Sequence, residues 1–313
     1  MQNADVAALL DARSLNAGFI VVRPCPLSQK LYTAIRQMTT RRQRVDDQRA
    51  LNAAVRTMKS KRQRRQNALR VQGLDRRRFA SGVEYFEKSG RLFPRPDADV
   101  CRSPSLACPL VVHNNWIVGK EAKIYRFREH LMWLYDGDER YYTSETRNYL
   151  TYENPMPMMS DVTPTEVTET ELAALRTAFI VGYLLDRVVI LPRFHCTAAH
   201  VQCPLNSLVH IKTFDAACAG RYRENSFLRH PKVPASVKQE QISQPLIPPD
   251  DRTTTAHVTA SKVKSLFSQI SAKVLNLGSL QQVTVDFKHG SVDRTFIRKL
   301  GTAIRRSRYR QLH

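Results

Sequence analysis

The chain is short of acid. Its 313 residues hold 28 Asp and Glu against 49 Lys and Arg, a formal net charge of +21. Such an excess asks for a polyanionic partner: nucleic acid, acidic lipid, acidic glycan or a phosphorylated donor. Other features are missing outright. None of the six cysteines forms a C-x-x-C pair, so a zinc ribbon or thioredoxin-like centre is not expected. The most apolar window, Leu172 to Leu191, contains Arg176, Asp186 and Arg187, which argues against a membrane span. The opening Met1-Gln2-Asn3-Ala4-Asp5 lacks a basic region followed by an apolar stretch, so a signal peptide is not expected. There is no Asn-x-Ser/Thr site and no internal repeat. Core-forming material is not lacking. At 42% hydrophobic, 8% aromatic and 25% charged residues, the chain is globular and long enough for one large domain or two ordinary ones.

The charge is unevenly placed. Residues 1–78 carry 18 Lys and Arg against 5 Asp and Glu, whereas residues 79–150 carry 10 of each. Arg36–Arg44, Arg56–Arg65 and Arg70–Arg78 make stripes within a patterned segment, not a low-complexity tail. Cys101/Cys108 and Cys196/Cys203 lie in loop-like sequence. They fit two local disulfides or reduced thiols equally well.

Along the chain, Leu15–Pro24 reads as a turn at Asn16-Ala17-Gly18 feeding a buried strand stopped by Pro24. Leu27, Leu31, Ile35 and Met38 recur at helical spacing. A second helix over 47–58 buries Leu51, Val55 and Met58. Leu110-Val111-Val112 is a short buried strand. Residues 136–165 are polar, Tyr-rich and aperiodic, and read as a linker. An amphipathic helix follows, capped by Thr168 or Thr170, with Leu172, Leu175, Phe179 and Leu185 on its inner face. Val188–Leu191 is a strand, and residues 195–258 look mostly irregular. A helix is expected over 261–277, a strand over 283–287 and a basic helix over 294–308. Helices alternating with short apolar strands predict an α/β fold.

Four clusters could carry chemistry. Asn16-Ala17-Gly18 favours a sharp turn with exposed backbone, structural or facing a ligand. Asp46-Asp47-Gln48 precedes a helix. An acid there complements the helix dipole, and a carboxylate beside an amide also suits sugar hydroxyls. His113-Asn114-Asn115-Trp116 closes a strand, and Gly119, Lys120 and Lys123 follow. Ligands bind at strand carboxyl ends in open α/β sheets, and His, Gly and Lys suit a cation and a phosphate. The fourth set is His195, His200 and His210 with Cys196 and Cys203, at spacing irregular for zinc. Asp136-Gly137-Asp138 has the form of a metal-binding D-x-D but sits in a polar turn.

Taken in order, Leu15–Phe19, Asp47-Gln48, the segment around Leu74-Asp75 and Phe79–Phe86, and Val112–Trp116 resemble the nucleotide-diphospho-sugar transferase family. This is the GT-A-type group that includes plant cell-wall xylosyl-, galactosyl- and arabinosyltransferases. The resemblance covers roughly residues 12–135. It implies the C-terminal part of a GT-A, Rossmann-like domain in 1–135, then the 136–165 linker and a second, smaller α/β unit in 166–313. The pattern Leu184–Pro192 resembles C-terminal extensions of some members, and loosely a fucosyltransferase-like helix–strand unit.

What the resemblance implies is a glycosyltransferase. It would move a sugar from a nucleotide-diphospho-sugar, by family habit a UDP-sugar, to a glycan or glycoprotein acceptor in the Golgi. It would depend on a divalent cation, usually manganese. By this likeness His113 is a metal ligand, and Asp47 and Gln48 are catalytic. Asn16, Ala17, Gly18 and Asn114 line the donor and acceptor site, and Gly119, Lys120 and Lys123 serve the diphosphate. The family's D-x-D is expected ahead of Asn16, and none stands there. Asp97-Ala98-Asp99 and Asp136-Gly137-Asp138 come too late to replace it. The resemblance therefore implies an N-terminally truncated member of low activity, whose membrane anchor lies in the missing part. Two further classes stand beside it: a basic nucleic-acid-binding protein without a recognised module, and a non-catalytic relative. Arg193, His195 and Arg229-His230 are candidate phosphate or glycan contacts. The basic surface is expected to face acidic glycan or membrane, with no specific nucleic acid.

Overall fold

The structure is a computed structural model describing residues 4–11, 14–40, 45–60, 68–87, 108–133, 137, 140–155, 163–195, 205–247, 256–280, 283–286 and 293–305. The chain divides into two compact units, Met1–Ile117 and Val118–His313.

The first unit contains β1 (Val6–Asp11), β2 (Ser14–Val22), α1 (Pro26–Thr40), α2 (Asp47–Ser60), β3 (Val71–Gly73), β4 (Phe79–Ser81) and β5 (Val111–His113). Its sheet runs β2-β1-β3, with β2 antiparallel and β3 parallel to β1. β4 and β5 form a separate parallel pair that sets Ser81 opposite His113. The apolar stripes of α1 and α2 supply Leu31, Leu51, Ala54 and Val55, which close over Val6 and Leu69. Just ahead of β1 and β3, Asp5 accepts from the Arg70 amide at 2.9 Å and pairs with its guanidinium at 3.2 Å, which fixes the parallel register. That partner holds the Asp5 carboxyl below its usual range.

The expected turn at Asn16-Ala17-Gly18 is instead a bulge inside β2. Ala8 pairs with Ile20 but Leu9 pairs with Asn16, so Ala17, Gly18 and Phe19 protrude from the ladder. A bulge re-aims side chains without ending the strand, and a Gly within one reads locally like a turn.

The second unit contains α3 (Lys120–Glu129), α4 (Arg140–Thr143), β6 (Tyr149–Glu153), α5 (Pro164–Leu184), β7 (Val188–Ile190), α6 (Ile211–Cys218), β8 (Tyr222–Arg223), α7 (Ala235–Gln239), β9 (Gln241–Ser243), β10 (Ala256–Thr259), α8 (Ala260–Phe267), β11 (Val274–Ser279), β12 (Val283–Asp286) and α9 (Asp293–Arg305). Five strands make one sheet in the order β8-β7-β6-β11-β9, every pairing parallel. β10 and β12 pair separately.

Four further expectations are corrected here. The segment read as a linker supplies β6, the middle strand of the sheet, with Tyr149 and Leu150 wholly buried. The helix expected over 261–277 ends at Phe267, because Val274–Ser279 is the buried strand β11. α5 starts at Pro164 and not near Thr168: Thr163 and Glu166 form a capping box, with the proline in the first turn. Residues 195–258, read as mostly irregular, also hold α6, β8, α7 and β9. The helix expected over 294–308 and the strand expected over 283–287 are present as α9 and β12. No described helix is long and apolar enough to cross a membrane.

Candidate functional site

In the first unit, side chains from the carboxyl ends of β1 and β5 converge on Asp11, the last residue of β1. The residue is buried, at 6% exposure. Oδ1 accepts from Asn115 Nδ2 at 3.0 Å and from Trp116 Nε1 at 3.3 Å. Oδ2 accepts from the side-chain amide of Asn16. Among the described residues Asp11 has no ion-pair partner, so neutral N–H donors alone compensate this buried acid.

The donors are fixed in turn. Asn16 Oδ1 accepts from the Gly18 amide at 2.7 Å, which shapes the bulge. Asn115 Oδ1 accepts from the Gly82 amide at 2.7 Å, tying the end of β5 to the residue after β4. The chain then turns through Trp116 at φ 59°, a left-handed conformation uncommon for a large residue. Its indole N–H reaches inward to Asp11 while the residue stays 57% exposed.

Gly18 is required as glycine. A Cβ there would collide with the His113 imidazole and lie 2.9 Å from Asn16 Oδ1. The exposed backbone of the bulge therefore lies directly against that ring. The result is a polar edge with an imidazole, a bare stretch of backbone and an exposed indole, in which one buried carboxylate ties the bulge to the indole.

The structure thus gathers Asn16, Gly18 and His113, with Ala17 half-buried in the same bulge. Asn114 is buried beside His113, at 7% exposure. Asp47 and Gln48 begin α2. Asp46 accepts from the Arg49 amide at 2.8 Å, and exposed Asp47 accepts from the Gln48 amide at 2.8 Å. Half-buried Gln48 stands one turn before Asn52, which grips both backbone atoms of Leu15 at 3.0 and 2.8 Å. Gly119, Lys120 and Lys123 belong to the second unit. Gly119 takes φ 99° ahead of α3, and both lysines are exposed.

Sequence reasoning missed Asp11, and gave Asn115 and Trp116 no role. The available signal was an acid ending the apolar run Val6–Leu10. Its importance comes from partners about a hundred residues away in the chain, which no local pattern reveals.

Among the described residues no group of three or more His, Cys, Asp or Glu is placed to hold a cation. Asp11 is engaged by three N–H donors. Asp97, Asp99, Asp136, Asp138, His200, Cys101, Cys196 and Cys203 lie outside the described residues. His210 turns inward to Thr213 Oγ1 at 2.8 Å. Cys108 is disulfide-bonded to a partner outside the described residues, while Cys25 and Cys218 are free.

Polar side chains gathered at the carboxyl ends of parallel strands, as at β1 and β5, stand where α/β units hold ligands. The family model for nucleotide-diphospho-sugar transferases matches residues 2–127. No curated protein and no solved structure gives a significant match. The family points to glycosyl transfer between a nucleotide-sugar donor and an acceptor.

Proposed function

We propose that the first unit binds the donor nucleotide-sugar, by family habit a UDP-sugar, at the edge organised by Asp11. The chain then serves transfer of that sugar to a glycan or glycoprotein acceptor in the Golgi. The observation that carries this reading is the convergence of Asn16, Asn115 and Trp116 on one buried carboxylate beside Gly18 and His113.

In such a transfer an acceptor hydroxyl oxygen bonds to the anomeric carbon. The bond to the diphosphate oxygen breaks, and the diphosphate leaves with the electron pair and takes up the hydroxyl proton. The chain's own contribution is positioning. Gly18 lets a ligand approach the backbone, the exposed Trp116 indole offers a flat apolar face, and His113 supplies a hydrogen-bonding ring at the same edge. Gln48, one turn from Asn52 on α2, lines the sugar end more directly than Asp47 does.

The test is calorimetric titration of the full chain with UDP-xylose and UDP-galactose. Asp11→Ala strands three N–H donors, each costing about 1–3 kcal/mol when left without an acceptor. Affinity for whichever donor binds should fall by about 100-fold or more. Unchanged affinity in a folded variant would place the donor elsewhere.

A further inference from the structure

Cations collect at the amino edge of the five-stranded sheet in the second unit. Its neighbouring strands β8, β7, β6 and β11 begin just after Arg221, Arg187, Arg147 and Lys273 respectively. These strands run parallel, so the residues leading into them meet at one edge. The segments leading into β6, β7 and β8 enclose a cavity of about 390 Å³. Arg147, Arg187 and Arg221 line it, with Asn148 and Asp186 among others. Small-molecule sites occupy about 300–1,000 Å³, so this one has room for more than a lone ion.

Arg187 is buried, at 6% exposure. Its Nη1 donates to the carbonyls of Tyr149 and Ala272 at 3.1 and 2.8 Å, and Nη2 to that of Ile270 at 2.8 Å. A guanidinium has five N–H groups, so hydrogens remain on Nε and Nη2. These two nitrogens lie on one side of the fork, the side that grips a carboxylate or phosphate through two bonds. Among the described residues no carboxylate pairs with Arg187. Carbonyls satisfy its hydrogens without cancelling its charge, and a buried charge is ordinarily paired.

The neighbours add to that charge. Arg147 donates from Nη1 to the Gly220 carbonyl at 2.9 Å. Arg221 lies over the Tyr183 ring at 5.0 Å and stands 3.9 Å from Asp186. Asp186 is the one acid among the lining residues, and its side chain is 99% exposed, so water screens it. α5 and α6 end at this edge, and each helix C-terminus counts as about half a negative charge. Three guanidinium groups exceed these together, so the cavity stays positive. A cation is repelled there, and an oxyanion supplies the counter-charge that Arg187 lacks.

We propose that this cavity is a second binding site, for a small organic anion that carries carboxylate or phosphate groups. Arg187 grips the anion through Nε and Nη2, and Arg147 and Arg221 hold it from the segments leading into β6 and β8. The site lies outside residues 2–127 and stands independently of the reading given to the first unit.

The test is calorimetric titration of the full chain with citrate and with pyrophosphate, at about 0.15 M ionic strength to screen diffuse attraction. At least one should bind saturably, one per chain, and shift the Arg187 Nε–H resonance. Citrate alone would assign carboxylate chemistry, pyrophosphate alone phosphate chemistry, and both the shared oxyanion chemistry. Arg147→Gln with Arg221→Gln should weaken binding about 100-fold, about tenfold for each charged donor. Arg187→Lys keeps the charge without the fork and should weaken it about tenfold. Arg56→Gln with Lys59→Gln removes equal charge from α2 and should leave binding unchanged. If Arg187→Lys does not fold, the two paired variants decide. No saturable binding of either anion, or an equal loss in the α2 pair, would overturn the site. So would loss of binding in Asp11→Ala, which would put the anion in the first unit.

Discussion

The buried acid at the polar edge of the first unit and those of the second are surrounded differently. In the first, the buried acid Asp11 is satisfied by neutral donors, and the ring of one donor, Trp116, stays open to solvent. In the second, ionisable groups are packed together out of water. Glu224 is wholly buried and accepts from Tyr141 and Tyr142 hydroxyls at 2.7 and 2.9 Å. Arg126 is wholly buried on the same helix as Glu129, and Glu129 accepts from Asn225 at 3.0 Å. Arg128 and Arg223 lie over the Tyr141 ring at 3.6 and 4.1 Å. The first arrangement keeps a polar edge fixed and reachable. The second makes stability depend on protonation. The comparison teaches that folding of the second unit should depend on pH.

The sharpest way to break this comparison, after loss of Asp11, is Gly18→Ala. The added methyl collides with the His113 ring, and overpacking of this kind costs about 1–3 kcal/mol. Donor affinity by calorimetry should fall about tenfold. Amide exchange in β7 and β8 should stay as in the wild type.

The second prediction concerns pH. Burial first, and repulsion from Glu224 second, push Glu129 up to about 8 from 4.5. Burial pushes His130 down to about 4 from 6.5. Between pH 4.5 and 8 folded Glu129 keeps a proton that the unfolded chain has lost, so its contribution falls as pH rises. Between 4 and 6.5 unfolded His130 binds a proton that the folded form lacks, so its contribution rises with pH. The two oppose each other up to 6.5, and from 6.5 to 8 only the decline remains. Exchange protection in β7 and β8 should therefore drop over that window, and Glu129→Gln should flatten it.

The smallest effect is expected at α2. Exposed Asp47 bonds only its neighbour's amide, so Asp47→Ala should shift stability by about 0.5 kcal/mol or less. It should leave donor affinity unchanged in the same titration, while Gln48→Ala lowers it.

Legibility in the sequence followed the reach of the signal. α1 and α2 were readable because Leu31, Leu51 and Val55 repeat at helical spacing and meet in one core. His113 was readable because it closes the apolar strand β5. β6 was hidden: Tyr149-Leu150-Thr151-Tyr152 is short and flanked by polar residues, and its strand character depends on burial between β7 and β11. The start of α5 was hidden because its exposed first turn carries no apolar period, only the Thr163–Glu166 cap. β11 was misread because Ile270 and Val274 continue the spacing of α8, and a short apolar run fits helix or strand alike. In the site, Asn16 and Gly18 were visible, but the acid that joins them to Asn115 and Trp116 was not.

The central claim is that the Asp11 edge receives the donor. Its most direct test is proton–nitrogen NMR of the full chain titrated with UDP-xylose or UDP-galactose, reading the Trp116 indole N–H and the His113 ring together. The account predicts that both move saturably with a single affinity, while Trp133 and His130 in the second unit stay still. Saturable shifts confined to the second unit, with Trp116 and His113 unmoved, would contradict it.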